Sequence, residues 1–511
     1  MTSGSSLPAP GSKLLSHFRA SKQRLPLHPL EKAVLAAVAI HLCFLPWALG
    51  TMHVWSQITS LVLATIGFLL ALIPRTYSGD NLPPINPQVS GFRSQVSAMR
   101  LSAWPRLIRF PIFWIGLALL VYIAVQGFNP FWVWERNETH WWLRRVNEIE
   151  WLPTSIDTPF GRFNLWRQFI IYASAWLVMC TVWVGFTRRR SLQLLLTILG
   201  LNVVILTLVG FIARAYFPQW EWVLWLNIQL KGATSFASFI YKNHAAAYLA
   251  LLLGGTLALA SWHHEQGVRN MSRSTPGMLW FLATVGLTFG VVFTYSRGAT
   301  LILGGYYIAA AILYTLSRLF SATRSTTSPL VSVMLAAMLV GVVGFAAGRL
   351  SYTKAERTFT SLFVKQEKDV SVAHRLEAYA AARSLLADHW QRGIGAGGFR
   401  FLFPEYIKHY PNSYKNGQYL WEHAHCDWLQ LPIELGVAGS ALILLAAFWT
   451  IGALLRRKLW RHPSMLLLVI ACLQTLIQAG FDFPFQNPAV LVTWLALMML
   501  SVRWTELDAA H

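Results

Sequence analysis

Residues 421–439 read WEHAHCDWLQLPIELGVAG, and this stretch changes from polar to apolar near its middle. The polar half carries His423 and His425, and the apolar half opens a long hydrophobic run. The pattern predicts a membrane helix that begins at about residue 426, with both histidines just outside the bilayer. A histidine in that position is suited to acid–base chemistry, because imidazole titrates near neutral pH.

The whole chain has the composition of a membrane protein. Its 511 residues are 55% hydrophobic and only 12% charged, which is about half the charged fraction of a typical soluble domain. We predict an all-α polytopic fold with about twelve transmembrane helices and one large, partly helical outer loop. The predicted spans are 33–50, 55–74, 110–127, 167–186, 191–213, 243–262, 276–294, 298–318, 329–348, 426–454, 464–480 and 486–503.

These spans divide the chain into four regions. A basic tail, 1–31, precedes an N-terminal membrane region, 32–234. A second membrane region, 235–505, contains the large outer loop 349–425, in which 371–390 has helical spacing. A short tail, 506–511, ends the chain. Most short basic loops fall on one side of this arrangement, which predicts that both termini are cytoplasmic and that the large loop lies on the outer side of the membrane.

The formal net charge of +21 has two predicted sources. Basic cytoplasmic loops account for the larger part, and basic residues in the outer segments would attract an anionic ligand. Nucleic acid is not expected as a partner, because the basic residues are scattered among the spans. Membrane lipids are expected to surround the protein.

Four candidate residues that lie far apart in the sequence fall on the outer side. They are Arg297, Arg375, His423 and His425. Arg297 alone is readily explained as a side chain that reaches the lipid headgroups, and Arg375 alone as part of a solvated helix face. Together the two arginines predict a cationic pocket for phosphate, which the guanidinium fork binds well.

The histidine pair allows three interpretations: a metal site with Glu422 and Asp427, hydrogen-bonding residues at a helix start, or a general base. We favour the general base and predict no metal, since no further His or Cys lies at a strong ligand spacing. His244 at the start of the sixth span and Asp482 before the last span are auxiliary candidates.

Two further patterns have more than one interpretation. The tryptophans at 132–151 predict either an interfacial belt, which is the more frequent case, or a platform on which sugars stack. The segment GIGAGGF, 393–399, is not preceded by a strand. It therefore predicts a flexible turn or a site of close backbone approach rather than a dinucleotide loop.

Several of these motifs together resemble the bacterial O-antigen ligase family. His425-Cys426 is followed nine residues later by GVAG at 436–439, and Arg297 is followed by Leu301 at the spacing of the family's Arg-x-x-x-Leu element. HRLEAY at 374–379 resembles the loop segment before the family's histidine, and YKNHAAAYL at 241–249 resembles an element of the wider ligase/polymerase superfamily. The resemblance covers roughly 235–500. Cys426 departs from it, because an amide or hydroxyl residue is usual there.

The resemblance implies a GT-C-like, metal-independent glycosyltransferase of the bacterial inner membrane that uses no cofactor. Such an enzyme transfers a glycan from undecaprenyl diphosphate to an acceptor hydroxyl on the periplasmic side. His425 would activate the acceptor, Arg297 would bind the diphosphate, and Arg375 would be its second cationic partner.

The acceptor remains open at this point. Lipid A–core would make the protein an O-antigen ligase, a growing glycan would make it a polymerase, and a protein hydroxyl would make it an O-oligosaccharyltransferase. A different class of function is a transporter or flippase for lipid-linked glycans, which would need ionisable residues near the bilayer midplane. The spans offer little of that kind beyond His41. A structural scaffold is a third class.

Overall fold

A computed structural model of the 511-residue chain describes residues 27–78, 98–216, 222–223, 226–227, 235–272, 274–319, 338, 341, 370–414 and 421–509. Long apolar helices account for most of the membrane part. They are α1 (Pro29–Trp47), α2 (Val54–Leu72), α4 (Pro111–Phe128), α5 (Leu165–Gly185), α6 (Arg189–Tyr216), α7 (Lys242–Arg269), α8 (Gly277–Phe293), α9 (Arg297–Leu319), α14 (Asp427–Arg456), α15 (Pro463–Gln478) and α16 (Pro488–Ala509).

The remaining elements are short, apart from one helix of the outer loop. They are α3 (Trp104–Ile108), α10 (Val370–His389), α11 (Phe399–Leu402), α12 (Pro404–Ile407) and α13 (Pro411–Tyr414), with strands β1 (Arg75–Ser78), β2 (Ala98–Leu101), β3 (Pro130–Arg136), β4 (Trp141–Arg145), β5 (Ser155–Asp157), β6 (Trp222–Val223) and β7 (Leu226–Asn227). Strand β3 pairs antiparallel with β4 and parallel with β5, whereas β1–β2 and β6–β7 are two-stranded antiparallel pairs.

The predicted all-α polytopic fold is confirmed. Within the described residues, nine helices are long and apolar enough to cross a membrane, and α8 and α15 are shorter apolar helices. The predicted span 329–348 lies outside the described residues except at positions 338 and 341, so the count of twelve stays a prediction. The helix predicted at 371–390 is present as α10.

Helix α7 forms the centre of the bundle, because 94% of its apolar window is buried. Its sequence alternates small and large residues (AAAYLALLLGGTLALA), and small residues let neighbouring helices approach closely. Gly254 faces Ala471 of α15, and Gly255 faces Leu196 of α6. By contrast, α14 buries only 17% of its window, so most of its surface faces outward.

One end of the bundle, which we call the basic end, is fixed by buried charged residues. The Glu31 carboxylate accepts hydrogen bonds from the Thr187 backbone N–H at 3.0 Å and from the Ser191 hydroxyl at 2.5 Å, where α6 begins. Arg75 lies 3.5 Å from the same carboxylate. Arg503 of α16 donates two hydrogen bonds to the Phe186 carbonyl. The basic end therefore joins the start of α1 to the ends of α2, α5 and α16.

At the opposite end, three segments of the chain pack into one layer, which we call the cap: residues 129–164, 370–414 and 421–426. A single hydrophobic cluster joins its sheet to α10, α11 and the start of α14. Members of this cluster are Trp134, Ile156, Ala378, Leu385, Ile394, Phe399, Phe403 and Ile433.

The cap is attached to the bundle where α14 is interrupted. Gly436 has φ +63°, which breaks the helical hydrogen-bond ladder inside an apolar run. Backbone groups freed in this way must find partners, because an unpaired group in hydrocarbon costs several kcal/mol. The glycine segment at 393–399 supplies them: Ile394 N–H donates to the Ile433 carbonyl and Gly395 N–H to the Glu434 carbonyl, each at 3.0 Å.

Helix α4 donates two further hydrogen bonds to the interrupted part of α14. Gln126 Nε2 donates to the Glu434 carbonyl at 3.0 Å, and the Tyr122 hydroxyl donates to the Leu435 carbonyl at 2.5 Å. Gly393, with φ +72°, has no room for a side chain, since a Cβ there would fall on the Glu434 carbonyl and 2.7 Å from the Gly436 nitrogen. The site of close backbone approach predicted for 393–399 is therefore present.

We expect Gly436→Ala to destabilise the protein by more than about 1 kcal/mol, because alanine disfavours positive φ and its Cβ would meet the Gln391 carbonyl 2.7 Å away. Gly452→Ala is the matched control in the same helix, where a Cβ meets nothing within 4 Å. Thermal unfolding of the purified protein in detergent measures both. An unchanged melting temperature for Gly436→Ala would contradict the close backbone fit described for the interruption of α14.

Candidate functional site

Three of the predicted site histidines surround one aromatic ring, that of Phe483. His423 stacks on it with ring centroids 4.7 Å apart and planes at 26°. His425 meets it edge-on at 4.7 Å and 83°, and His244 does so at 5.0 Å and 90°. His244 Nε2 also lies 3.2 Å from the Phe483 carbonyl, which accepts its proton in a hydrogen bond. The ring thus gathers residues from α7, the segment before α14, and the segment before α16.

His425 is held in a backbone conformation that is uncommon for residues other than glycine. Its φ is +52°, and its carbonyl accepts a 2.9 Å hydrogen bond from the Tyr379 hydroxyl. The Trp421 ring packs edge-on against the imidazole at 5.6 Å. One quarter of the His425 side chain remains exposed, so a substrate can reach it.

Asp482 faces His425 across a short gap. His425 Nδ1 and Asp482 Oδ1 are 3.9 Å apart, and both atoms are buried without a hydrogen-bond partner in the described part of the chain. A carboxylate beside Nδ1 favours the tautomer in which Nε2 is the free base, and it stabilises the imidazolium that forms when Nε2 takes a proton. The pair therefore has the composition of a base and the residue that positions it.

The surroundings keep His425 in its neutral form. Burial and, to a smaller extent, the nearby Arg375 guanidinium together lower its pKa to about 4. Burial raises the pKa of Asp482, although the Phe483 N–H and the Arg375 charge oppose that rise. At neutral pH the imidazole is thus unprotonated and able to accept a proton.

Arg375 and the start of α9, which begins at Arg297, both contact Phe481. Arg375 Nη1 donates a 3.1 Å hydrogen bond to the Phe481 carbonyl. A Cβ on Gly298 would lie 3.0 Å from the Phe481 ring, so the start of α9, and with it the exposed Arg297, packs on the same segment. The structure therefore brings the sequence-predicted Arg375, His425 and Asp482 together, and it packs the start of the helix that carries Arg297 against Phe481, the residue before Asp482.

Further positive charge extends from Arg297. The charges of Arg297 and Arg214 both act on Lys242, which opens α7. The Arg214 guanidinium lies 4.6 Å from the centre of the Tyr295 ring. These residues form a cationic row at the end of α6, α7 and α9, and such a row suits a phosphorylated ligand.

His423 differs from His425 in being buried and hydrogen-bonded. Its Nδ1 lies 3.2 Å from Gln430 Nε2, and Gln430 Oε1 accepts from the Ala424 N–H at 3.0 Å. Burial holds the pKa of His423 well below its usual range, with His244 and Arg400 acting in the same direction. His423 thus has the surroundings of a structural residue, and its auxiliary role remains a prediction.

Cys426 occupies the N-cap of α14, and its side chain makes no capping hydrogen bond. The carboxylate of the following residue, Asp427, holds this end of the helix in place. It accepts hydrogen bonds from the Phe485 N–H at 2.9 Å and from Gln486 Nε2 at 3.2 Å. The orientation of His425 therefore depends on contacts other than the thiol, above all those with Tyr379 and Phe483.

Sequence reasoning missed Phe483, Tyr379 and Gln430. Tyr379 follows Arg375 by four residues on α10, so both lie on one helix face, and that spacing could have indicated it. Gln430 follows Cys426 by four residues in the same way. Phe483 carries no comparable signal, because its importance comes from neighbours that are distant in sequence.

No group of three or more His, Cys, Asp or Glu side chains that could hold a metal ion occurs within the described residues. The residues around His425 instead offer a base, a carboxylate and guanidinium groups. This set fits proton transfer next to an anionic leaving group.

Diethyl pyrocarbonate acylates neutral imidazole, so its reaction measures the fraction of each histidine that is unprotonated. We expect His425 to label with an apparent pKa of about 4, well below the value of about 6.5 for free N-acetylhistidine. Labelling of the detergent-solubilised protein between pH 4 and 7.5, read by peptide mass spectrometry, measures it.

Arg375→Gln should raise this apparent pKa, because it removes a positive charge that disfavours the imidazolium. Arg383→Gln, at an exposed position of the same helix, is the control and should leave the profile unchanged. A His425 profile that coincides with that of N-acetylhistidine would contradict the electrostatics described above.

Comparison with known proteins gives one match. Residues 282–444 match the family model described as O-antigen ligase, and no curated protein matches the chain. The matched segment begins in α8 and ends in α14, and it contains Arg297, Arg375 and His425. The resemblance drawn from the motifs is confirmed over this segment: residues 282–444 carry an O-antigen ligase domain, which supports the O-antigen ligase/polymerase superfamily.

Proposed function

We propose that the protein is an inner-membrane glycosyltransferase that moves a glycan from undecaprenyl diphosphate to an acceptor hydroxyl on the periplasmic side. One observation carries the proposal: a neutral histidine with a carboxylate beside Nδ1 lies next to a segment that Arg375 and the start of α9, the helix of Arg297, both contact. The coarser statement, that this is a multi-pass membrane enzyme of ligase or polymerase type, follows from the family and the helices.

In the proposed reaction, His425 Nε2 accepts the proton of the acceptor hydroxyl as its oxygen attacks the anomeric carbon. A new glycosidic bond forms, the bond from that carbon to the diphosphate oxygen breaks, and the electron pair leaves with the diphosphate. Asp482 stabilises the imidazolium that results, as a positioning residue beside Nδ1. A single displacement of this kind inverts the anomeric configuration.

Arg297 and Arg375 are proposed to stabilise the diphosphate as its negative charge grows. Guanidinium groups suit this role, since they bind phosphate oxygens in pairs and stay charged near other cations. Stabilisation of charge that develops in the transition state is usually the largest contribution to catalysis. Lys242 and Arg214 lie near enough to extend this cationic surface towards the bilayer.

The proposed orientation follows from the two ends of the bundle. The basic end contains Arg75, Arg503 and the start of α6 with Arg188 to Arg190. Positively charged segments are retained in the cytoplasm, so the basic end, and with it both termini, is proposed to be cytoplasmic. The end that carries His425 and the cap is then periplasmic.

The proposed acceptor is lipid A–core or a growing glycan, and a protein hydroxyl is the alternative. Transport is less well supported. A transporter needs ionisable groups along a path through the bilayer, whereas His41, with Ser60 Oγ 2.7 Å from its Nε2, is completely buried between α1 and α2. A polar contact of this kind fits helix association.

We expect His425→Ala to lower glycan transfer by about 10²- to 10⁴-fold, because the general base is lost. Arg297→Ala should lower it by about 10²- to 10³-fold through lost stabilisation of the leaving group. Surface-glycan profiling of a deletion strain that expresses each variant measures transfer, and immunoblots of the membrane fraction confirm equal protein levels.

His409→Ala and Arg383→Ala are the matched controls, because both side chains are exposed on the cap. Both should retain full transfer. If His425→Ala also retains full transfer at an equal protein level, the catalytic assignment is wrong. The glycan species that accumulates in inactive variants distinguishes a ligase from a polymerase.

A further inference from the structure

The cap contains a second feature that the proposed reaction does not use: an open cavity of about 360 Å³. It lies between the β3–β4 hairpin, the turn before α5, the connection from α1 to α2, and α11. Its aromatic walls are Trp134, Trp141, Phe163 and Phe401, and its cationic groups are Arg162, Arg167 and Arg400. We call it the Trp–Arg pocket.

Among the described residues, only one carboxylate pairs with the three guanidinium groups of the Trp–Arg pocket. Arg167 is buried, and its guanidinium donates to three neutral acceptors: Gln57 Oε1 at 2.9 Å, the Arg162 carbonyl at 2.7 Å and the Met52 carbonyl at 2.8 Å. Arg400 pairs with Glu422, whose carboxylate is half exposed.

None of the described residues that line the pocket is acidic. A partly buried site that holds three guanidinium groups and borders a single carboxylate is favourable for an anion, since an uncompensated buried charge is costly. The Glu422 carboxylate occupies the place at Arg400 that an incoming anion would take.

The aromatic walls add the chemistry that sugar rings require. The Arg162 guanidinium lies 4.6 Å from the centre of the Trp134 ring, and that of Arg400 lies 4.4 Å from the centre of the Phe163 ring, so both cations are held against the walls. Trp141 remains 41% exposed and offers apolar surface to the C–H face of a saccharide. A pocket with both properties selects a ligand that is both sugar-like and negatively charged.

The Trp–Arg pocket is connected to His425 through a row of rings in contact with one another. Phe163 contacts His423 edge-on at 5.6 Å, and His423 stacks on Phe483, which in turn contacts His425. Gly298, which follows Arg297, packs next to Phe481, two residues before Phe483. The pocket and the proposed diphosphate site therefore both adjoin the rings around His425, and they do so through different residues.

We propose that the Trp–Arg pocket is a subsite for an acidic saccharide unit, bearing a carboxylate or a phosphate, in the acceptor glycan. The assignment to the acceptor rests on the proposed function, whereas the binding of an acidic saccharide does not. The guanidinium groups bind the anion, and Trp141 packs against the sugar ring.

Saturation-transfer NMR on the full-length protein in lipid nanodiscs tests this binding directly. The probes are glucuronate for a carboxylate, glucose 6-phosphate for a phosphate, and glucose as the neutral reference. We expect at least one acidic probe to receive saturation and to titrate, with glucose far weaker. Whichever acidic probe binds more tightly identifies the anionic group.

Arg162→Gln and Trp141→Ala should each raise the dissociation constant of that probe about tenfold or more. The first variant loses a charge-assisted contact with the anion, and the second loses the ring that packs against the sugar. The matched controls lie on the same hairpin: Arg144→Gln and Trp142→Ala, whose side chains point to the opposite face from Trp141. Both controls should leave binding unchanged, and they show whether the hairpin has folded.

Competition with farnesyl diphosphate is the second experiment, because this compound carries the diphosphate and a prenyl chain but no glycan. The acidic saccharide should stay bound when farnesyl diphosphate is added, and displacement would place both at one site and overturn the proposal. Equal binding of glucose and the acidic probes, or full binding to Arg162→Gln, would also overturn it. His425→Ala should bind the probe normally, so a failure of the catalytic proposal is distinguishable from a failure of this one.

Discussion

The whole arrangement depends on the interruption of helix α14 at Gly436. A break inside an apolar helix exposes carbonyl groups that neither lipid nor apolar side chains can satisfy. Here the Ile433 and Glu434 carbonyls accept hydrogen bonds from the glycine segment of the cap, and Gln126 of α4 adds another. The requirement for backbone pairing therefore fixes the cap on the bundle and, with it, the position of His425 at the start of the same helix.

Packing around the Phe483 ring positions the histidines of the candidate site. Three histidines contact this ring, but burial gives them different properties. His244 and His423 are almost completely buried and hydrogen-bonded to the protein, whereas one quarter of the His425 side chain is exposed. The histidine with access to a substrate is thus the one that has an unpartnered nitrogen facing Asp482. A base that stays neutral beside arginines can serve a reaction in which the leaving group is highly charged.

Much of the fold and part of the site could be predicted from the sequence, and the reasons are physical. Apolar runs of about twenty residues predict spans, because the bilayer leaves a helix few alternatives. Arg297, Arg375 and His425 were indicated because the motifs around them are local. The packing around Phe483 and the Trp–Arg pocket could not be predicted, since residues that meet there, such as His425 and Phe483 or Arg162 and Arg400, are 58 and 238 positions apart in the sequence. Likewise, the positive φ of Gly436 and its fit against Gly393 depend on tertiary contact.

The central claim is that a lipid-linked diphosphate binds beside Arg297, at the end of the bundle that carries His425. Photocrosslinking with a benzophenone-bearing polyprenyl diphosphate, followed by peptide mass spectrometry of the full-length protein in nanodiscs, tests it most directly. The account predicts crosslinks to peptides that contain Arg297 and the segment 481–483, and their loss when unlabelled farnesyl diphosphate is added in excess. Competed crosslinks confined to peptides of the basic end, such as 187–191 or 456–461, would contradict it.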